Sequence, residues 1–512
     1  MLAVAQLSDR MIAPQSHSAR LSGCRFAAIG GCLLAILGFK VLLIGRLGSP
    51  TPFWDQWAEA MGVYLPYLSH TLTFDHLVAF HNEHRLLLTR ATALALLILN
   101  GTWDPILQMV VGAVVHVTAI GILLIALGSV LKLNRLIFLL GFALLFHAVP
   151  FGWDNTLSGF QIQFYFLFLL SILSLFLLSR AKAWSTAWLL GTVLATLGYF
   201  SVASGSLILP AAIALAPVQI ALRQRSGIRE FAGVALHAAI AIIVVHDLLA
   251  YAPQTSTIDA SIRQLFSSLM ISASWPVAAR SWPVVLQIIP AALIYGPMLV
   301  LAATLFRQRP GLTDGRWFYV ALAAWLALQL AALSFARAGG TIQSRYTDIF
   351  VIGVILNFAA LLFLRADRAE PRQRRFLSCG AAVWILAVML GAGQKAVVNV
   401  VDEVSFRYAS GQRQTENVKA FLSTNDFAAL DKKPAFDIPF PDGKLLRDLL
   451  TNPALQSILS PELTGIEQHR PLRDAILSQG PMLIPIGLAV LMIAAMFSLS
   501  RSGREESDQA PE

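Results

Sequence analysis

Charge is what this chain has least of. Asp, Glu, Lys and Arg together make up 13% of its 512 residues, where a soluble globular domain carries about a quarter. With 56% hydrophobic residues, that shortage excludes an ordinary soluble fold. Cysteine is scarce as well: Cys24, Cys32 and Cys379 each lie in or beside an apolar segment, so no disulfide framework is implied. No fixed-period repeat is present and the two halves show no duplication, which argues against an inverted-repeat transporter. The formal net charge of +9 would suit nucleic acid if it formed one patch. Instead the basic residues sit in short clusters between apolar runs, the pattern of cytoplasmic loops. The partner this implies is the lipid bilayer, and no nucleic acid.

What is present is a series of apolar runs of spanning length, roughly 17–25 residues each. They fall at 26–45, 105–130, 135–152, 160–179, 184–200, 205–222, 231–251, 284–305, 317–335, 347–364, 376–393 and 481–499. The fold class is therefore an all-α polytopic membrane protein with about 12 (12–13) transmembrane helices. Residues 1–25 carry Arg10, Arg20 and Arg25 ahead of an apolar run, as a signal peptide does. The run lacks a small-residue cleavage site and is long enough to span, so it reads as an uncleaved anchor behind a cytoplasmic N-terminal tail.

The clusters Lys132/Arg135, Arg180/Lys182, Arg223/Arg225/Arg229, Arg307/Arg309/Arg316, the basic stretch 365–375 and Arg501/Arg504 set the orientation. All are cytoplasmic together, with the N-terminus, only if residues 86–99 do not form an ordinary span. That segment is short, begins near Arg90, and is followed by Asn100-Gly101 and Asp104-Pro105, a helix stop and a helix start. It reads as an interfacial or re-entrant helix; the alternative is a short thirteenth span. The transmembrane domain then covers 26–393, with a first extracytoplasmic loop at 46–104 containing interfacial helices. The turns around 151–163, 201–206 and 336–346 and the loop 252–283 share its side. A small α-rich extracytoplasmic segment, 394–480, precedes the last helix at 481–500 and the cytoplasmic tail 501–512. Its own apolar core is thin, so it is expected to pack on the membrane part as a lid or platform.

The densest polar chemistry lies in 53–90, where Asp55, Glu59, Asp75, Glu83, His70, His76, His81, His84, Arg85 and Arg90 crowd into one loop. Asp55, between Trp54 and Gln56-Trp57, is placed as a general base toward a hydroxyl or as a ligand to a divalent cation; the plainer alternative is a helix cap. His81 and His84, three apart, would share a helix face, but the HExxH pattern of a zinc hydrolase is absent. An oxygen-liganded Mg or Mn ion on Asp55 and Glu83 suits a phosphate substrate better, with Arg85 as a further clamp. Trp153, Asp154, Gln161 and Gln163 place a ring, a carboxylate and amides at the ends of two spans, where they suit sugar hydroxyls or simply satisfy helix ends. Arg345, followed by Tyr346, stands on the surface the positive-inside rule disfavours, and so calls for an anionic partner or a structural ion pair.

These elements, Phe-Trp-Asp-Gln-Trp at 53–57, His-Asn-Glu-His-Arg at 81–85, Gln-Ile-Gln-Phe at 161–164 and Ser-Arg-Tyr at 344–346, resemble a group of bacterial membrane proteins placed near the GT-C class of membrane glycosyltransferases. The layout resembles that class over most of the chain: an acid just after the first span, a long first outer loop, about a dozen spans and a hydrophilic segment near the C-terminus. The resemblance implies an enzyme of the bacterial cytoplasmic (inner) membrane. Its donor would be a polyprenyl-phosphate-linked sugar and its acceptor an envelope glycan or lipid. It assigns Asp55, Glu83 and His84 to catalysis, and Arg85, Trp153, Asp154, Gln161, Gln163, Arg345 and Tyr346 to substrate. The chain departs from the acid pairs common in that class, since Gln56 follows Asp55 and the next acid is Glu59. Two further readings stay open: a transporter or lipid-carrier flippase, and an O-antigen polymerase or ligase organised around late-loop arginines such as Arg407 and Arg413.

Overall fold

In a medium that offers the backbone no hydrogen bonds, long apolar runs close their own as helices, and they do so here. The computed structural model describes residues 2–251, 261–278, 281–338, 342–367, 371–465 and 471–507. Parts of the expected loop 252–283, the turn 336–346, the basic stretch 365–375, the segment 394–480 and the tail 501–512 lie outside the described residues.

The first half contains α1 (Leu2–Leu47), α2 (Leu87–Asn100), α3 (Pro105–Gly128), α4 (Leu133–Ala148), α5 (Ile162–Leu178), α6 (Thr186–Tyr199), α7 (Ile208–Ala221) and α8 (Ile228–Tyr251). The second contains α9 (Ile262–Ala273), α10 (Val284–Gln308), α11 (Arg316–Ala336), α12 (Thr347–Asp367), α13 (Pro371–Lys395), α14 (Val401–Thr424), α15 (Gly443–Leu450) and α16 (Leu483–Ser507). Ten described helices are long and apolar enough to cross a membrane, and Leu87–Asn100, Leu133–Ala148 and Thr186–Tyr199 are shorter apolar helices. The chain is thus an all-α multi-pass membrane protein. The expected spans 135–152 and 184–200 correspond to the short helices α4 and α6, both packed into the main core.

Local chemistry sets the helix ends that position the candidate site. Gly101, at φ 73°, ends α2 in the left-handed conformation a Cβ disfavours. The Asp104 carboxylate then accepts from the N–H groups of Ile106 and Leu107 at 3.0 and 3.1 Å, and Pro105 fills the first helical position of α3. On the opposite flank α1 crosses α16 through glycines: a Cβ on Gly31 would meet the Gly487 carbonyl at 2.8 Å. Small residues at such a crossing let two backbones approach where lipid supplies no hydrophobic drive.

The apolar residues gather into two principal cores. The larger fills the bundle. The other is a cap in which the first loop and the late segment share one interior. Trp103 packs edge-on against Trp57 and Tyr64, with ring centroids 5.3 and 5.1 Å away. Ala93 and Leu97 of α2, Val418 and Phe421 of α14, and Leu446, Leu449 and Leu450 of α15 close around them. Backbone bonds stitch the halves: Trp54 N–H donates to the Pro439 carbonyl and Trp103 N–H to that of Ile458, both at 2.7 Å. The buried side of α2 belongs to this cap, and its 14 residues reach only about 21 Å, less than a hydrocarbon core of roughly 30 Å. The late segment begins differently from expectation: the helix of the 376–393 span does not break at 394. It continues through a π turn, Ala396–Val400, into α14, giving one helical run, Arg375–Thr424, of 50 residues.

Candidate functional site

Asp55 sits in a short 3-10 turn, Trp54–Gln56, beyond the end of α1. Trp54 holds the turn in place: its φ of 48° is left-handed, its ring stacks on Phe436 of the late segment at 5.5 Å, and Trp57 Nε1 donates to the Pro52 carbonyl at 2.9 Å. Asp55 is partly exposed, and its Oδ1 lies 3.7 Å from His81 Nε2, an ion-pair distance beyond hydrogen-bond reach. His81 holds the Asp55 carboxyl below the usual carboxylate range, against the opposing effect of burial, and Arg345 and His84 add to it. The group is therefore an ionised carboxylate at neutral pH.

The two histidines do not share a helix face as their spacing suggests. Phe80–His81 and His84–Arg85 are the two strands of a hairpin, with His81 directly opposite His84. The turn is two residues long, and Asn82 takes the left-handed conformation such turns require (φ 51°). Direct pairing across a hairpin leaves both rings on one side, so the juxtaposition expected of a helix is reached by another route. His84 Nε2 lies 3.7 Å from Glu83; burial lowers the His84 pKa, with Glu83 opposing. Phe160 stands edge-on beneath His81 at 5.3 Å.

Opposite Asp55 stands a second carboxylate. Asp154 lies 3.2 Å from Arg345 Nε, and its backbone N–H donates to Ser344 Oγ at 3.3 Å. Burial raises the Asp154 pKa, Arg345 and Arg407 pull it down, and Asp55 adds to the rise. Asn155 fastens this turn to α12, donating to the Arg345 carbonyl at 2.8 Å and to Asp348 Oδ2 at 2.9 Å. Arg407 of α14 is 6% exposed, and its guanidinium lies 4.0 Å over the Phe53 ring. Its Nη1 reaches Gln414 at 3.5 Å, and its Nη2 is buried with no hydrogen-bond partner. Asp55, Asp154, Arg345 and Arg407, with the imidazoles of His81 and His84, thus form one charged group assembled from the first loop, the turns before α5 and α12, and α14.

Other expected site residues fall around this group or away from it. Trp153 Nε1 donates to Glu403 at 2.8 Å. Tyr346 accepts from Arg337 at 3.0 and 3.1 Å. Gln161 and Gln163 are buried and bond to each other at 3.0 Å, with Gln163 Oε1 left unpartnered. Arg85 points elsewhere: it makes a bidentate pair with Asp247 at 2.7 and 2.8 Å, donates to the Val78 carbonyl at 2.7 Å, and covers the Phe80 ring. Asp55 and Glu83 each face a histidine, and among the described residues no group of three or more His, Cys, Asp or Glu side chains is gathered as a metal-binding cluster.

A cavity of about 320 Å³ opens beside the charged group, between α9, the α13–α14 helix and the turn before α12. Ser267, Ser268, Ser344, Asn399, Lys395 and Glu403 line it together with Trp275 and Phe151. Hydroxyls, amides and one charge pair on an aromatic wall suit a hydroxylated ligand. Sequence reasoning left Lys395, Asn399 and Glu403 unassigned, because only the unbroken α13–α14 helix carries them to this end of the bundle. Compared with protein-family models, with curated proteins and with solved structures, the chain matches none.

Proposed function

We propose that this protein is a GT-C-type glycosyltransferase that moves a sugar from a polyprenyl-phosphate donor to an envelope glycan or lipid on the outer face of the bacterial cytoplasmic membrane. The observation that carries the reading is the gathering of Asp55, Arg345 and Arg407, residues from three distant parts of the sequence, around the Asp154 carboxylate, which Arg345 pairs at 3.2 Å, beside a hydroxyl-lined cavity. In an inverting transfer the acceptor hydroxyl attacks the anomeric carbon and gives its proton to the Asp55 carboxylate, while the bond from that carbon to the phosphate oxygen breaks. The polyprenyl phosphate leaves with the electron pair, and the two guanidiniums receive its charge. Glu83 and His84 flank the base; Glu403, held by Trp153, lines the cavity that takes the sugar or acceptor.

The test is transfer from a radiolabelled polyprenyl-phosphohexose in reconstituted vesicles. Asp55→Asn is expected to lower the rate roughly a hundred- to ten-thousand-fold with unfolding temperature unchanged, and Arg345→Gln to raise the donor KM. Undiminished transfer by Asp55→Asn would sink the assignment. The burial of Arg407 in the group favours one second reading, a lipid-linked polymerase or ligase. That reading predicts loss with Arg407→Gln while Asp55→Asn stays active.

A further inference from the structure

A second cavity, of about 310 Å³, lies between the last turns of α1 and the end of α4. It backs onto the first: Phe151 and Thr347 line one, and their neighbours Gly152 and Asp348 line the other. Lys40, buried within the apolar run of α1, borders it. Its Nζ donates to Thr156 Oγ1 at 3.1 Å, which occupies one of the three N–H groups an ammonium carries. Arg46, exposed and about 9 Å further along the helix, stands in the same wall. His147 also lines the cavity, and its Nε2 is buried with no hydrogen-bond partner. The Asp348 carboxylate is held by Asn155. Lys40 and Arg46 set against Asp348 leave one positive charge, two minus one. Apolar residues of α1 and of the end of α4 supply most of the remaining wall.

An ammonium placed in an apolar span is costly, and less so when an anion shares its site. A cavity with one surplus positive charge and an apolar flank matches an amphiphile whose head bears one negative charge. We propose that this cavity binds the headgroup of a phosphodiester lipid, with the phosphate received by Lys40 and Arg46 and the chain lying along the α1–α4 groove. The inference stands apart from the glycosyl transfer above: it needs no turnover and does not use Asp55, Arg345 or Arg407. A membrane glycerophospholipid and a polyprenyl phosphodiester share this chemistry.

The test uses the full chain in detergent micelles and a fluorescent phosphatidylglycerol as probe. It is expected to bind at least about tenfold tighter than the matching phosphatidylcholine, whose extra cation cancels its charge. Arg46→Gln should weaken binding about tenfold. Leu43→Trp, which fills the cavity but keeps both cations, should abolish it; both variants should unfold at the wild-type temperature. Displacement of the probe by a polyprenyl phosphohexose assigns the site to that lipid, and failure to displace assigns it to the bulk phospholipid; either supports the proposal. Equal binding of the two phospholipids, indifference to both substitutions, or displacement by millimolar inorganic phosphate would overturn it.

Discussion

Glu59 offers the most quantitative handle on the cap. Its side chain is 1% exposed. Its Oε2 accepts from Gln108 Nε2 at 3.1 Å and from the Tyr64 hydroxyl at 3.4 Å, while its Oε1 has no hydrogen-bond partner. Burial pushes the carboxyl up from 4.5 to about 7, with Gln108, Tyr64 and Arg90 opposing. The folded chain therefore keeps a proton that the unfolded chain gives up once the pH passes the ordinary carboxyl value. Between that value and about 7 the folded state binds more protons, so stability falls as pH rises through this window and levels off above it. At about 1.36 kcal/mol per pH unit, the loss amounts to about 3 kcal/mol at pH 8. Glu59→Gln keeps the shape and removes the titration. Thermal unfolding in detergent, followed by the fluorescence of Trp57 and Trp103 beside Glu59, should find wild type and variant alike near pH 4.5. The variant should be the more stable by about 3 kcal/mol at pH 8. Parallel pH profiles for the two proteins would refute the burial argument, because every other titrating group is common to both.

Two further outcomes follow from packing and pairing. Arg85→Ala leaves the Asp247 carboxylate with the Tyr199 hydroxyl that donates to it but without its countercharge. Because both members of the pair are partly exposed, the expected cost is about 1–3 kcal/mol, read as a lower unfolding temperature, with sugar transfer per folded molecule preserved. Gly31→Val forces α1 and α16 apart where a Cβ would already meet carbonyl oxygen at 2.8 Å. We expect a loss of about 1–3 kcal/mol or more, measured as detergent-resistant folded yield, with no loss from the same change at Gly30, where a Cβ meets nothing within 4 Å.

The helices were legible because lipid imposes one rule on every run: about 20 apolar residues close their own hydrogen bonds and cross. The stop and start at Gly101 and Asp104-Pro105 were legible for a similarly local reason, since αL glycine and a capping carboxylate act within a few residues. The hairpin at 80–85 was not. Six residues, five of them polar, carry no periodicity long enough to separate a strand pair from a helix start, and pairing across the turn produced the same His81–His84 proximity. Arg85 misled for another reason. Its charge suggested a phosphate clamp, but its partner is Asp247, distant in sequence and visible only once α8 is in place.

The deeper difficulty was the site's other half. Asp55 could be singled out because charge beside a span is costly, and Arg345 because it stands on the surface the positive-inside rule disfavours. Arg407 lies in a segment where charge is common, so it stood out only as one late-loop arginine beside Arg413, and its part in this site shows only through its burial over Phe53. Lys40 is the reverse case, a lone cation inside an apolar run that the cost argument should have flagged first. The break expected at 394 hid the connection further: with α13 ending there, Glu403 and Arg407 would belong to a separate late domain. The continuous helix makes them the far wall of the first loop's own site. A helix-breaking pair such as Gly-Pro at 397–398, inside the π turn, should therefore uncouple the two halves, whereas if the late segment were an independent platform it would leave the charged group intact. Trp103 and Leu446 belong to one core built from both loops, so a late segment displaced by the break should expose them, read as a red shift and loss of tryptophan fluorescence.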